Sequence, residues 1–310
     1  MARPGTDVLG FLPGFAPEST NCCRHIRRWT AAAAAATMGN GSGPGTGGSQ
    51  DCEEKGTVPM DHPARKSVCM AAYNGSLFIE EQIRSILPEL DEGDEIVIVD
   101  DCSTDSTADV VKGIPDPRIR LLTNEHNMGY VKTFERALAS GTGDYLFLSD
   151  QDDIWLPGRV KQMMEALQDK MMVVSNCSHF GGGAGRFHEI RLRSADSGRR
   201  AANIAGILVG YRLHWGCAMA LRADLLRLAL PFPGRMRESY DQFLAMAGNV
   251  AGSIVYLEED TVLHRLHGNN LTPARIRGPL AILRARAVFA ENLAILLLRL
   301  RRLRPAFGPR

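Results

Sequence analysis

The sequence predicts an α/β fold with a mainly parallel central sheet and helices on both faces. Three observations predict it. Short apolar runs recur at roughly 20- to 28-residue spacing from Lys66 onward, stretches with apolar residues at helical intervals fill the gaps between them, and strand follows helix four times in succession. That alternation is the pattern of βαβ units, whose crossovers place helices over both faces of a parallel sheet.

Residues 1–64 precede this pattern. Ala31 to Ala36 are six consecutive alanines, and Gly39 to Gly48 holds six glycines in ten residues. Such composition buries too little apolar surface to offset chain entropy, so a disordered low-complexity extension is expected, although Arg24, Arg27 and Arg28 ahead of the alanines also fit a targeting peptide. From there the expected strands are Ser67 to Ala72, Glu95 to Val99, Ile119 to Thr123, Tyr145 to Ser149 and Met171 to Ser175. The expected helices are Ser76 to Leu90, Thr104 to Lys112, Gly129 to Ser140 and Pro157 to Gln168. Pro157 suits a first helical turn, where no backbone donor is needed.

The chain has 310 residues, 45% of them hydrophobic, and a net charge of +1. A near-neutral balance gives no electrostatic footprint for nucleic acid, so no nucleic-acid partner is expected. The charge is unevenly spread, because residues 275–310 hold nine arginines and one glutamate. Seven cysteines without a C-x-x-C pair fit reduced thiols and a cytoplasmic location better than a disulfide framework or zinc ribbon.

Ligands of open α/β sheets bind at the carboxyl edge, and two acidic clusters fall there. One apolar run leads into Asp100-Asp101-Cys-Ser-Thr-Asp105 and another into Asp150-Gln-Asp152-Asp153-Ile-Trp155. Gathered carboxylates repel one another, and a divalent cation is the simplest compensator. Alternate residues at a strand end share a side, so Asp150 and Asp152 can face one ligand, and two oxygen donors with open positions suit Mg2+ or Mn2+. A solvated turn with Asp153 capping the next helix is the plainer alternative, as capping is for Ser103 and Asp105. A Walker-type phosphate loop is excluded, and Gly181 to Gly185 lacks the flanking strand and helix of a dinucleotide fingerprint.

Cys69-Met-Ala-Ala-Tyr73-Asn74-Gly75, Val99-Asp100-Asp101-Cys-Ser-Thr-Asp105, Asn127-Met-Gly129 with Thr133-Phe-Glu-Arg-Ala-Leu138, Gly143 through Trp155, and His267-Gly-Asn-Asn270 stand in the order and spacing of one family. Over about Lys66 to Leu271 the chain resembles family 2 glycosyltransferases of the GT-A fold, most of all the bacterial rhamnosyltransferase-like branch. The resemblance implies one domain, residues 65–272, with a nucleotide-binding and an acceptor-binding half. It implies inverting transfer of a sugar from a nucleoside-diphosphate donor to a glycan or lipid-linked acceptor, in cell-surface polysaccharide synthesis.

By the same resemblance, Ala72, Tyr73, Asn74 and Asp101 hold the nucleobase, Asp150 approaches the ribose or metal, and Asp152 binds the metal that bridges the diphosphate. His267 is a third metal or diphosphate contact, and Trp215 lies on the acceptor side, with core packing its alternative. Inversion needs a base opposite the leaving group. Asp241 is the candidate and Glu238 the runner-up. Tyr240 before Asp241, Gln242-Phe243 after it and Thr133 depart from the family pattern. dTDP-rhamnose and UDP-hexoses both stay open as donors. A nucleotidyltransferase acting on a sugar phosphate, or an inactive sugar-nucleotide-binding protein, would share the donor features.

Residues 273–310 read as a basic amphipathic helix, with Arg284, Arg286, Glu291, Arg299, Arg301 and Arg302 set among leucines. Its longest uncharged run is too short to span a bilayer, which takes about 20 residues. It therefore either lies on the inner face of an anionic membrane or packs on the catalytic domain with arginine stems over apolar surface.

Overall fold

A computed structural model describes residues 64–182, 190–268 and 278–303. The predicted extension up to residue 63, the 183–185 part of the glycine-rich loop and the Asn269-Asn270 end of the last motif lie outside the described residues. Eight strands follow in chain order: β1 (Lys66–Ala72), β2 (Glu95–Asp100), β3 (Ile119–Thr123), β4 (Tyr145–Asp150), β5 (Ile154–Trp155), β6 (Met172–Phe180), β7 (Met219–Arg222) and β8 (Ile254–Arg265). The α-helices are α1 (Ile79–Ile86), α2 (Thr107–Lys112), α3 (Tyr130–Ser140), α4 (Arg159–Leu167), α5 (Arg200–Val209), α6 (Leu226–Ala229), α7 (Tyr240–Ala251) and α8 (Pro279–Leu303).

Each of the five predicted strands exists, and four run parallel as β3-β2-β1-β4. Their alternate residues fill two separate cores. Val68, Met70, Ile96 and Ile98 pack beneath Ile79, Ile83 and Ile86 of α1. Cys69, Val97 and Val99 pack on the other side against Val131, Phe134, Ala137 and Leu138 of α3. Strands buried on both faces are why these runs read as continuously apolar.

Beyond β4 the simple alternation stops. β7 inserts antiparallel between β4 and β6, β6 pairs parallel with β8, and β5 closes the edge antiparallel to β8, so the full order is β3-β2-β1-β4-β7-β6-β8-β5. The sheet is mixed, though mostly parallel. The four residues of β7 are too few for a periodic signal, and its place is set by nonlocal pairing.

Register matters for the site. Ala72 is level with Asp100, and Ala71 with Asp150, so three parallel strands end together and both acidic clusters flank the turn after β1.

The second half packs on α7, whose residues Phe243 to Ala247 are all fully buried. α8 lies against α5, α6 and α7, inserting Leu296 and packing Phe289, Leu293, Leu300 and Leu303 onto the same core. Its other face is open, with Leu280, Leu283, Leu297 and Leu298 exposed.

Candidate active site

A cleft of about 1180 Å3 opens at the level strand ends, and every candidate residue from the sequence lines it: Ala72, Tyr73, Asn74, Asp101, Asp150, Asp152, Trp215, Glu238, Asp241 and His267.

The turn after β1 is built by side chains bonding to backbone. Asn74 takes φ +48°, a left-handed conformation asparagine tolerates, and its Oδ1 accepts from the Thr104 amide at 2.8 Å while its own amide donates to Ser103 Oγ at 2.9 Å. Gln151 pairs with the Tyr73 backbone in both directions, accepting at 2.9 Å and donating at 3.0 Å. Gly75 makes room for it, since a Cβ there would lie 2.1 Å from Gln151 Oε1. The Tyr73 ring is left 45% exposed beside the cleft.

Asp101 is buried, and its carboxylate organises the next turn. Oδ1 accepts from Asn124 Nδ2 at 2.7 Å and the Met128 amide at 2.8 Å, and Oδ2 accepts from the Gly129 amide at 2.8 Å. A carboxylate oxygen has room for two donors, so Oδ2 keeps capacity for a ligand N–H. Ser103 does not cap the following helix, as its hydroxyl bonds to Asp100. Asp105 bridges the Ser76 and Thr107 amides.

The second acidic cluster is not a solvated turn. Asp153, expected at most as a helix cap, is fully buried and accepts from His264 Nδ1 at 2.8 Å and the Arg265 amide at 3.0 Å. Burial disfavours charge on His264, but the Asp153 hydrogen bond and the surrounding carboxylates outweigh it and raise its pKa to about 9. Burial and the charges of Asp153 and Asp152 hold the Asp150 carboxyl well above the usual carboxylate range. Asp152 is raised in the same way, partly countered by His267, whose Nε2 lies 2.7 Å from Asp152 Oδ2. His267 is fixed in turn by stacking on Phe78 at 4.9 Å.

These observations fit a divalent cation. Three neighbouring carboxylates carry a charge surplus, and Asp152 and His267, the expected ligands, already meet. Beneath them Asp150, Asp153, Cys217 and His264 bring ligand atoms within 4.8 Å of one another. Asp153 Oδ2 and His264 Nε2 are buried there without a hydrogen-bond partner among the described residues.

Asp241 stands at the first turn of α7, its Oδ1 accepting from the Gln242 amide at 2.7 Å. Burial raises its carboxyl to about 6. A polar network behind it fixes this helix end: Gln242 bonds both His214 Nδ1 and the His214 carbonyl, and His214 Nε2 meets Tyr256 Oη at 3.2 Å. Burial lowers His214 to about 4, so it stays neutral. Glu238 lines the same cleft but is exposed. Trp215 is half-buried against His264 at 5.4 Å and His179 at 5.7 Å and lines the cleft.

Gln151, Asp153 and His264 make contacts that sequence reasoning missed. The Gln151 signal was its place inside the acidic cluster. Asp153 stood in the same cluster, but its partner His264 had no signal, being 111 residues away on β8.

Residues 67–227, more than half of the chain, match the family described as Glycosyl transferase family 2. A Nostoc sp. protein described as an uncharacterised glycosyltransferase is 27% identical over 213 residues, 66% of this chain and 65% of the relative. The dTDP-rhamnosyl transferase RfbG of Shigella flexneri is 35% identical over 105 residues, 32% of this chain and 36% of the relative. The UDP-Glc:alpha-D-GlcNAc-diphosphoundecaprenol beta-1,3-glucosyltransferase WfgD of Escherichia coli is 33% identical over 116 residues, 37% and 44% respectively. The chain thus spans less than two thirds of the length of these relatives. Among solved structures, S. aureus TarS in complex with UDP-GlcNAc superposes with a TM-score of 0.56 at 20% identity, covering 78% of this chain and 73% of that one. That likeness shows the shared GT-A fold.

Proposed function

The chain belongs to glycosyl transferase family 2 and has the GT-A fold, and from that premise we propose that it transfers a sugar, with inversion, from a nucleoside diphosphate to a hydroxyl of a glycan or lipid-linked acceptor in cell-surface polysaccharide synthesis. One observation carries the reading. A single cleft joins the turn Ala72-Tyr73-Asn74, an Asp152–His267 pair competent to hold a cation and a half-buried carboxylate, Asp241, tuned toward neutral pH.

Tyr73 offers a ring face to the nucleobase, with the turn Ala72-Tyr73-Asn74 and Asp101 Oδ2 placed for its polar edge. Asp150 faces the ribose. Asp152 and His267 hold Mg2+ or Mn2+, which when bound offsets the charge that develops on the diphosphate leaving group. Asp241 takes the proton of the attacking hydroxyl; with its carboxyl near 6 it is ionised at neutral pH yet basic enough to accept that proton. Trp215 stacks on the acceptor sugar.

The relatives' names point to both UDP-glucose and dTDP-rhamnose donors. A thermal-shift panel of UDP- and dTDP-sugars with and without Mn2+ identifies the donor, because a bound ligand raises the melting temperature by linkage. Product analysis then tests the reaction. Nucleoside diphosphate is the expected product, and pyrophosphate would instead make the protein a nucleotidyltransferase.

No helix among the described residues is long and apolar enough to cross a membrane. The outward face of α8 carries Leu280, Leu283, Leu297 and Leu298 with Arg301 and Arg302, and the helix's one acid, Glu291, is half-buried and paired with Arg235. This face suits peripheral contact with an anionic bilayer. Deleting α8 would uncover the core around Leu296, so the sound test is Leu297→Glu with Leu298→Glu, expected to abolish flotation with anionic vesicles. Unchanged flotation would refute the contact.

A further inference from the structure

Resting on the transferase reading, we propose that α8 and the loop before α7 form an anion subsite, with Arg237 and Arg284 as its ligands, for a phosphate or diphosphate group on the apolar chain of the acceptor. Both elements lie outside residues 67–227, the span matched to the family.

Charge in the cleft is unevenly divided. Asp101, Asp150, Asp152 and Asp241 come from strand ends and the start of α7, whereas Arg212, Arg235, Arg237, Arg284 and Arg286 come from the segment after α5, the loop before α7, and α8, where Glu238 is the one acid among the described lining residues. Three of these arginines have structural partners. Arg212 pairs with Asp196 at 3.0 Å, Arg235 with Glu291 at 3.3 Å, and Arg286 donates to the Ile207 carbonyl at 3.2 Å. Arg237 and Arg284 are exposed to the cleft and form no ion pair with any described residue.

The Arg235–Glu291 pair ties the loop to α8, and Arg237 on the one and Arg284 on the other both line the cleft. A guanidinium fork matches phosphate oxygens in a bidentate manner. Beside the two arginines α8 presents Ala281, Ile282, Ala285 and Phe289 to the same space, an apolar surface suited to a chain and not to a sugar. Because Asp241 follows this loop at the start of α7, an acceptor anchored by its phosphate would place a hydroxyl of its adjoining sugar toward the base.

The test is calorimetric titration of the full chain with farnesyl diphosphate, farnesol and inorganic pyrophosphate, each with and without saturating UDP and Mn2+. Farnesyl diphosphate is expected to bind in the presence of UDP. Arg237→Ala and Arg284→Ala should each weaken it about tenfold, Arg284→Lys should recover part of the loss, and the UDP affinity of every variant should match wild type. Arg301→Ala, on α8 but outside the cleft, should bind farnesyl diphosphate as wild type does.

The proposal is overturned if the two alanine variants bind farnesyl diphosphate normally, or if farnesol binds as tightly. It is equally overturned if Arg301→Ala loses the same factor, which would indicate diffuse electrostatics, or if UDP displaces pyrophosphate, which would assign the arginines to the donor. A wild-type chain that binds farnesyl diphosphate but neither UDP nor dTDP would remove the transferase reading and leave the anion subsite standing.

Discussion

Asp241→Asn separates catalysis from stability at one atom. Asparagine keeps the Oδ1 acceptor for the Gln242 amide and the shape of the side chain, but cannot take a proton. Losing a general base lowers turnover by about 10²- to 10⁴-fold, while affinity for UDP is expected to stay unchanged. Stability should move the other way. The carboxyl is raised from 3.8 to about 6 by burial, so the folded state binds the proton more tightly than the unfolded state does. That advantage is complete below the unfolded value and is lost as pH rises through 6. By linkage the shift corresponds to about 3 kcal/mol at most, and exposure to the cleft reduces it to about 1–2 kcal/mol.

The wild type therefore carries a penalty at pH 8 that the asparagine variant lacks. Thermal unfolding at pH 5 and pH 8, beside an assay of nucleoside-diphosphate release, reads both effects. Asp241→Asn should melt about 4 °C higher than wild type at pH 8, with the gain shrinking at pH 5, and wild-type turnover should climb to a plateau above about pH 6. A variant that keeps more than a tenth of wild-type turnover, or melts lower at pH 8, refutes the reasoning.

Asp152→Asn should reduce the thermal shift by UDP with Mn2+ to that by UDP alone, and an undiminished Mn2+ effect would move the cation to the Asp150–Asp153–His264 group. Asp101→Asn places an amide N–H₂ against backbone donors that now meet a carboxylate, and should cost about 1–3 kcal/mol in urea denaturation while weakening UDP binding. Gly75→Ala displaces the Gln151 amide from Tyr73, so Gly75→Ala, Gln151→Ala and the double variant should weaken donor binding to the same extent, with additive losses counting against a shared contact.

The sequence by itself determined the parallel half of the sheet and the donor side of the cleft. Runs such as Glu95 to Val99 carry their burial in local order, and a carboxylate at a strand end lies on the ligand edge in any parallel sheet. Asp101, Asp150 and Asp152 were legible for that reason. Asp241 and His267 were found through resemblance, since nothing in their neighbours distinguishes them from helix-start and strand-end residues.

The tertiary structure decided what depends on distant partners. β7 is held between β4 and β6 by pairing across 45 to 77 residues, Asp153 is buried under His264 by a contact across 111, and Asp241 shifts toward 6 through its burial in the fold. The same holds for α8, whose sequence suits a membrane surface and a packed helix equally well. In the fold it is packed: one face inserts Leu296 into the core, and residues from its first turns wall the cleft that Asp241 lines.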